Sequence, residues 1–252
     1  MSKTDKLAEA IEWIPYRPLS RDELFVRFHL SEPTSKHLLI LYSLIIGLNA
    51  KVIIDLGLGQ TTGALRAAAL QTGGIVHTCD FDKQRFQHLS SAQDEQWRLY
   101  LEPSSSFLRK VPGPFDFVMH DGAHDYINAK RDLQIIIPKM RQFGMICIHD
   151  TQQPDLYRDM LAAIRDATKK FFISITNLPF NAGMAIIRVE SSPYPAVSPS
   201  SGTLPDGRID TEPIAFASLP VDNKIKVSPV RGRLMAARIK LGHILRQAGL
   251  RS

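Results

Sequence analysis

The order of apolar and polar positions along the chain predicts an alternating α/β protein. Short runs of β-branched and other apolar residues end at glycines or acids, and longer segments rich in Ala, Leu and charged residues separate them. The predicted strands lie at 51–57, 74–82, 97–103, 114–121, 144–150, 171–176 and 182–190. The predicted helices lie at 35–48, 61–72, 83–93, 105–111, 129–138 and 155–170, with Ser35 as a cap of the first.

This alternation predicts one fold class. Parallel strands joined by helical crossovers form a sheet that is covered on both faces, so we expect a doubly wound, Rossmann-like sheet of seven strands. Only the short segment "NLPFN" separates the last two strands. Because a crossover does not fit there, the last strand is expected to be antiparallel, in a hairpin at one edge of the sheet.

Four segments follow from the same pattern. Residues 1–34 contain three prolines and are expected to form an N-terminal cap segment, and residues 35–190 form the α/β domain. Residues 191–229 are rich in Pro, Ser and Gly, which is typical of a linker. Residues 230–252 are expected to form a basic amphipathic helix. Its apolar side would consist of Leu234, Ala237, Leu241, Ile244, Leu245 and Ala248.

The positive charge is concentrated in this tail. The formal net charge is +6, but residues 224–252 hold eight Lys or Arg and no acid, so the first 223 residues carry −2. A nucleic-acid-binding core is therefore not supported. Three alternatives remain for the tail helix: it lies on an anionic membrane surface, it binds a partner or a second copy of the chain, or it packs on the body.

The remaining composition indicates a soluble protein. Apolar residues make up 44% of the chain and charged residues 22%. The two cysteines, Cys79 and Cys147, lie in predicted strands, which indicates buried thiols in a reducing compartment. No secretory signal is evident at the N-terminus, and the longest apolar run, 37–48, is too short to cross a bilayer. We expect a cytoplasmic protein, with peripheral membrane contact through the tail as one alternative.

The turn after the first strand has features of a nucleotide-type site. "IDLGLGQTTG" places Gly57 and Gly59 where the chain needs a tight turn and a close approach to a ligand. Gly63 is one position later than in the dinucleotide pattern, which makes a dinucleotide pyrophosphate less favoured. The second strand ends near Asp80, 21 residues after Gly59, where an acid can accept hydrogen bonds from ribose hydroxyls.

Here the sequence resembles the class I S-adenosylmethionine (SAM)-dependent methyltransferases over about residues 35–190. Asp55, the two glycines and Asp80 stand where that family has its first two motifs. The resemblance implies SAM as cofactor, bound by Asp55, Gly57, Gly59, Thr61 and Asp80. It also implies an adenine contact near the second and third strands, for which the candidates are Phe81, Ser104 and Ser105.

The fourth and fifth predicted strands end in ionisable residues. "MHDGAHDY" contains Asp121 and His124, and "CIHDT" contains His149 and Asp150. Neighbouring parallel strands lie about 4.8 Å apart and end at the same edge of a sheet, so Asp121, His149 and Asp150 should meet beside the loop that follows the first strand. Two carboxylates and a histidine in one place are a plausible divalent metal site.

This second cluster resembles that of the metal-assisted sugar O-methyltransferases and the related cephalosporin-hydroxylase-like proteins, the methyltransferase family 24 type. The resemblance implies that Asp121 and Asp150 are metal ligands and that His124 is the general base. It further implies Mg²⁺ or Mn²⁺ as the metal and a sugar or glycosylated molecule as the acceptor. His149 stands where the strictest pattern has a carboxylate. It would either ligate a metal softer than Mg²⁺ or turn away from the site.

Other interpretations of the same residues stay open. Asp121 or Asp150 could cap the helix that follows, His124 could lie on the surface, and His120 and Asp125 are expected to be structural. The whole chain could be an NAD(P)-dependent oxidoreductase, although its glycine spacing argues against this. It could also be a non-catalytic SAM-fold binding module, or a metal hydrolase or hydroxylase.

Overall fold

The structure is a computed structural model, and it describes residues 16–30, 34–83, 89, 93–179 and 182–195. The helices are α1 (Arg21–Phe28), α2 (Ser35–Leu48), α3 (Gln60–Thr72), α4 (Ser104–Lys110), α5 (Tyr126–Ile136) and α6 (Tyr157–Thr168), and a 3₁₀ turn follows α5 at Ile137–Lys139. The strands are β1 (Val52–Leu56), β2 (Ile75–Asp80), β3 (Trp97–Leu101), β4 (Phe115–His120), β5 (Met140–His149), β6 (Ile173–Leu178) and β7 (Met184–Val189).

The seven strands form one sheet in the order β3-β2-β1-β4-β5-β7-β6. The first five strands of the chain pair in parallel, and β7 lies antiparallel between β5 and β6. The predicted fold class, with an antiparallel last strand, is confirmed. The strand order reverses beside β1, and ligands bind such sheets at the carboxyl ends of the strands next to this point.

Apolar side chains fill both sides of the sheet. One core cluster packs α4, α5 and α6 against the sheet and includes Phe107, Leu133 and Ile164. A second packs α2 and α3 against the other side and includes Leu41 and Leu65. All six residues of β4 are buried, as expected for a strand covered on both faces. The central strands are therefore fixed on both faces, which sets the points from which the loops leave their carboxyl ends.

Helix boundaries differ from the prediction at a few places. The predicted cap Ser35 is wrong: the N-cap of α2 is Thr34, and Ser35 is the first helical residue. The Ser35 hydroxyl instead donates a hydrogen bond to the Leu30 carbonyl oxygen. The N-cap of α5 is Asp125, which accepts a hydrogen bond from the Asn128 amide, so its expected structural role is confirmed. This leaves Asp121 without a capping role.

Strand β5 begins at Met140, four residues earlier than predicted, because its first part continues past a shift in register against β4. Asp116 lies buried at this irregularity. Its carboxylate accepts hydrogen bonds from the amides of Lys51 and Val52 and from the Arg141 side chain. One buried carboxylate thus ties together the starts of β1, β4 and β5.

Several predictions fall outside the described residues. These are most of the predicted helix at 83–93, the N-terminal 15 residues, and the tail from residue 196 onward. The proposed domain boundaries and the basic helix at 230–252, with its membrane, partner or docking alternatives, stay predictions. Within the described ranges, no helix is long and apolar enough to cross a membrane. Cys79 and Cys147 are both buried and unpaired, as predicted.

Candidate active site

The loop between β1 and α3, residues 57–59, is called the glycine loop. It lies close to the backbone at the end of β4. Gly57 has φ +105°, and a Cβ at this position would lie 2.3 Å from the carbonyl oxygen of Asp121. The Asp121 amide in turn donates a hydrogen bond to the Leu56 carbonyl oxygen at 2.9 Å. Only glycine fits this contact, because any side chain would collide with the backbone of the neighbouring loop. The ends of β1 and β4 are therefore locked side by side.

Asp80, at the end of β2, holds the other side of this loop. One carboxylate oxygen accepts a hydrogen bond from the Leu58 amide at 3.0 Å, and the other accepts from the Asp82 amide at 2.8 Å. The predicted acid at the end of the second strand therefore fixes the loop conformation. Each carboxylate oxygen has further lone pairs with which it can accept bonds from a ligand.

Asp55 lies beneath the loop and is completely buried. Its carboxylate accepts hydrogen bonds from the hydroxyls of Thr62 at 2.7 Å and Thr78 at 2.9 Å. Burial raises the pKa of Asp55 to about 7, although the two hydroxyl bonds oppose this shift. The carboxylate supports the loop from below, and the expected contact of Asp55 with a cofactor stays a prediction. Thr62 also accepts a hydrogen bond from the Gly59 amide, and so links Asp55 to the loop.

A cavity of about 850 Å³ opens above this loop. Five of the predicted cofactor residues line it: Gly57, Gly59, Asp80, Phe81 and Ser104. Asp55, Thr61 and Ser105 are not on its wall, and Thr61 is completely buried. Phe81 is 76% exposed, which leaves its ring available to pack against a bound ligand. A Cβ at Gly59 would meet no atom within 4 Å, so this part of the loop borders open space.

Ser104, on the cavity wall, contacts a buried residue that the sequence interpretation did not select. The Ser104 hydroxyl donates a hydrogen bond to the buried carboxylate of Asp132, at 2.6 Å. The Nε2 atom of the buried His120 lies 3.6 Å from the same carboxylate oxygen. The only sequence signal for Asp132 is an acid on the apolar side of a helix, which cannot by itself identify its partners.

The second predicted cluster is present at the ends of β4 and β5. Asp121, His124, His149 and Asp150 each direct a ligand atom to one place, and these four atoms lie within 4.8 Å of one another. His149 Nδ1 lies 2.9 Å from Asp150 Oδ1 and 3.3 Å from Asp121 Oδ1. His124 Nε2 lies 3.2 Å from Asp150 Oδ2 and 3.6 Å from Asp121 Oδ1.

Backbone geometry helps to hold this cluster. Asp150 has φ +58°, a left-handed conformation that is uncommon for residues other than glycine but is tolerated by Asp. This turns the chain sharply after β5, so that the carboxylate of Asp150 stays beside His149. Backbone strain of this kind tends to occur at functional sites. Asp150 does not cap a helix, since the N-cap of α6 is Leu156.

The charges in the cluster are strongly coupled. Burial opposes ionisation of Asp121, but His124 and His149 outweigh it and lower the pKa of Asp121 to about 2. Burial also disfavours the charged form of His149, but Asp121 and Asp150 outweigh it and raise its pKa to about 9. Without another cation, a protonated His149 therefore offsets part of the negative charge of the cluster.

The donor set also fits a divalent cation. His124 Nε2 and His149 Nδ1 are buried, and they lie 3.2 Å and 2.9 Å from carboxylate oxygens of Asp150. Imidazole nitrogens and carboxylate oxygens that converge on one point are donor types that bind transition-metal cations. Asp121 also lines the 850 Å³ cavity, so the cluster and the cavity share one residue.

Comparisons with known proteins agree with this geometry. Residues 54–151 match the family model of a methyltransferase domain. This range starts in β1 and ends just after Asp150, so it contains both the glycine loop and the cluster. Residues 54–151 form a class I SAM-dependent methyltransferase domain. The alternative of an NAD(P)-dependent oxidoreductase is thereby wrong.

Solved structures show the same fold as this methyltransferase. An O-methyltransferase from Bacillus cereus, in complex with S-adenosylhomocysteine (SAH), is 16% identical with a TM-score of 0.52; the match covers 68% of this chain and 92% of that one. An SAH-bound methyltransferase from Podospora anserina is 15% identical with a TM-score of 0.51, over 74% of this chain and 95% of that one. A comparison with curated proteins found no match.

We predict that substitution by alanine has different effects at Gly57 and at Gly59 of the methyltransferase. Gly57→Ala should destabilise the protein by about 2–4 kcal/mol and abolish SAH binding, because the Cβ collides with the Asp121 backbone. Gly59→Ala should leave stability nearly unchanged but weaken SAH binding, because its Cβ projects toward the open cavity. Urea unfolding and isothermal titration with SAH measure the two effects.

Gly47→Ala is the matched control, since it adds the same group inside α2 with no atom within 4 Å. It should bind SAH normally and be as stable as the wild type or slightly more so. A Gly57→Ala protein with wild-type stability and SAH affinity would contradict the proposed close contact.

We also predict a pH dependence of stability from Asp55. Its folded pKa of about 7 exceeds its ordinary value of 3.8, so the folded state retains a proton that the unfolded state loses. Its contribution to stability is complete below about pH 4 and is lost as the pH rises to about 7. The free energy of unfolding of wild type relative to Asp55→Asn should fall by on the order of 2–4 kcal/mol across this range. Identical pH profiles for the two proteins would contradict the buried carboxyl group.

Proposed function

We propose that this methyltransferase transfers the methyl group of SAM to a hydroxyl oxygen of a sugar or a glycosylated small molecule, with the help of a divalent cation. The observation that carries the proposal is the position of Asp121. Asp121 lines the cavity beside the glycine loop, and its carboxylate is also one of the four converging ligand groups. An acceptor held at the cluster would therefore lie next to a cofactor in the cavity.

The cavity residues support the binding of SAM. Gly57 and Gly59 allow a ligand to approach the backbone, Asp80 offers carboxylate oxygens for ribose hydroxyls, and Phe81 offers an exposed ring. Ser104, which donates its proton to Asp132, can accept a hydrogen bond from a group in the cavity. SAM supplies the activated methyl group.

The cluster residues support the activation of a hydroxyl group. Asp121, Asp150 and Nδ1 of His149 would hold the cation, and His124 is also close enough to contribute. A divalent cation bound there would lower the pKa of the acceptor hydroxyl and fix its oxygen in place. Two carboxylates with an imidazole suit Mn²⁺ or another transition metal better than Mg²⁺, which prefers oxygen ligands.

We assign the role of general base to His124. Its side chain is 23% exposed, the most of the four, so its ring lies closer to solvent than that of the nearly buried His149. Asp150 lies 3.2 Å from Nε2 of His124, where its negative charge would stabilise the ring after the ring takes the acceptor proton. A positioned base of this kind typically contributes on the order of 10²–10⁴-fold to the rate.

The cation site can be tested without knowledge of the acceptor. Asp121→Asn should weaken Mn²⁺ binding by on the order of 100-fold, because it removes a charged ligand, while SAH binding stays within a few fold of the wild type. Asp125→Asn is the matched control from the same loop, since Asn also caps a helix. Titration with Mn²⁺ followed by electron paramagnetic resonance measures the first effect and calorimetry with SAH the second. Unchanged Mn²⁺ affinity in Asp121→Asn would remove the cation from the proposal.

The acceptor class is tested with pairs of compounds that differ only in a sugar. Wild-type protein is incubated with SAM labelled in its methyl group, Mn²⁺, and aryl glycosides or the matching free aglycones. We expect label on a sugar hydroxyl of the glycosides, lost on chelation of the metal. Label on phenolic hydroxyls alone would contradict the sugar acceptor but retain O-methyl transfer. His124→Gln should lower turnover without changing SAH affinity.

A further inference from the structure

A third histidine lies against the ligand cluster. His37, in the first turn of α2, is completely buried, and its ring packs edge to face on the ring of His149, with centroids 4.9 Å apart and planes at 80°. We infer that His37 is a positioning residue, which fixes the ring of His149 so that Nδ1 faces Asp121 and Asp150. This inference rests on the cation site of the proposed function and goes beyond it, since it assigns a role to α2.

The first turn of α2 is held close to both parts of the site. The hydroxyl of Thr34, its N-cap, donates a hydrogen bond to the side chain of Gln60, the first residue of α3, which directly follows the glycine loop. Three residues later, His37 reaches His149 at the end of β5. The contact therefore connects α2, the glycine loop and the cluster through residues fixed in regular elements.

His149 lacks the usual means of orienting a metal-binding histidine. Such a residue normally donates a hydrogen bond from its second ring nitrogen to a carboxylate, a carbonyl oxygen or water, which fixes the ring. Nε2 of His149 is buried and makes no hydrogen bond with any described residue. Besides the carboxylates at Nδ1, the aromatic packing of His37 restrains the ring, and aromatic pairs favour this edge-to-face arrangement.

Loss of this packing should affect metals unequally. Without the His37 ring, the His149 ring gains space to rotate, and Nδ1 no longer stays 2.9 Å from Asp150. A cation that depends on the imidazole nitrogen would lose affinity, whereas Mg²⁺, which prefers the carboxylate oxygens, would lose little. A residue with a purely structural role would weaken the binding of both metals or of neither.

The experiment uses the full chain, with Co²⁺ as a spectroscopic probe and Mg²⁺ as its oxygen-preferring counterpart. His37→Ala should weaken Co²⁺ binding by on the order of tenfold and alter its visible absorption spectrum, with a change in Mg²⁺ affinity of under about twofold. His37→Phe restores an aromatic ring and should recover most of the Co²⁺ affinity. His37→Val, which keeps more of the buried volume, replaces the alanine variant if that one does not fold.

Leu38→Ala is the matched control, because Leu38 is also completely buried in α2 but packs in a different cluster, with Leu19, Leu24 and Ala64. It should lower the unfolding temperature and leave Co²⁺ binding unchanged. SAH binding confirms that every variant is folded.

Three results would overturn the inference. The first is unchanged Co²⁺ affinity and spectrum in a folded His37→Ala or His37→Val protein, and the second is an equal loss of Co²⁺ affinity in Leu38→Ala. In both of these the wild type still binds Co²⁺, and the proposed function stands. The third is a wild type that binds no Co²⁺ and no Mg²⁺, which removes the cation site and this inference together.

Discussion

The close contact between Gly57 and the backbone of Asp121 is the constraint on which the site depends. It exists because β1 and β4 are neighbours in the sheet, and because Gly57 has no side chain to keep their loops apart. The two loops therefore form a boundary that two chemically different regions share. On one side of it lies the cavity with its glycine loop, and on the other lies the cluster of carboxylates and imidazoles. Methyl transfer to a hydroxyl group requires this proximity of cofactor and acceptor.

Buried polar groups hold the rest of the site in position. Asp55 fixes the loop from below, Asp80 fixes it from the side, and Asp116 ties together the starts of three strands. Each of these carboxylates has hydrogen-bond partners, as buried polar groups need, although Oδ1 of Asp55 has none among the described residues. The cluster around Asp121 differs from them, because four ionisable side chains there direct ligand atoms to one place. That convergence distinguishes residues arranged to bind a ligand from residues that support the fold.

Much of this architecture could be predicted from sequence, because it depends on local patterns. Short apolar runs that end at Gly57 or Asp121 predict strands, and residues after parallel strands meet at one edge. The convergence of Asp121, His149 and Asp150 followed from this rule, whereas His124 was expected there only from the family resemblance. The position of Asp55 beneath the loop could not be predicted in the same way. A strand residue can point above or below the loop, and the buried hydroxyls of Thr62 and Thr78 hold Asp55 below.

Contacts between distant elements could not be predicted in this way. His37 lies in an apolar helix, and nothing in its neighbourhood along the chain indicates that it meets His149, more than a hundred residues away. The same holds for Asp132 in α5, which accepts a hydrogen bond from Ser104 in α4. Such contacts depend on how α2 and α5 pack on the sheet. They carry no spacing signal, so they become visible only when the tertiary structure is known.

The central claim is that the loops at the carboxyl ends of β1 and β4 place a SAM cavity directly beside a cation site. The most direct test is a crystal structure of the protein with SAH and Mn²⁺, with anomalous scattering used to locate the ion. We expect SAH beside Gly57 and Gly59, and a single Mn²⁺ at about 2.0–2.3 Å from Asp121, Asp150 and Nδ1 of His149. SAH bound in the cavity without an anomalous peak at these residues, or Mn²⁺ bound elsewhere, would contradict the account.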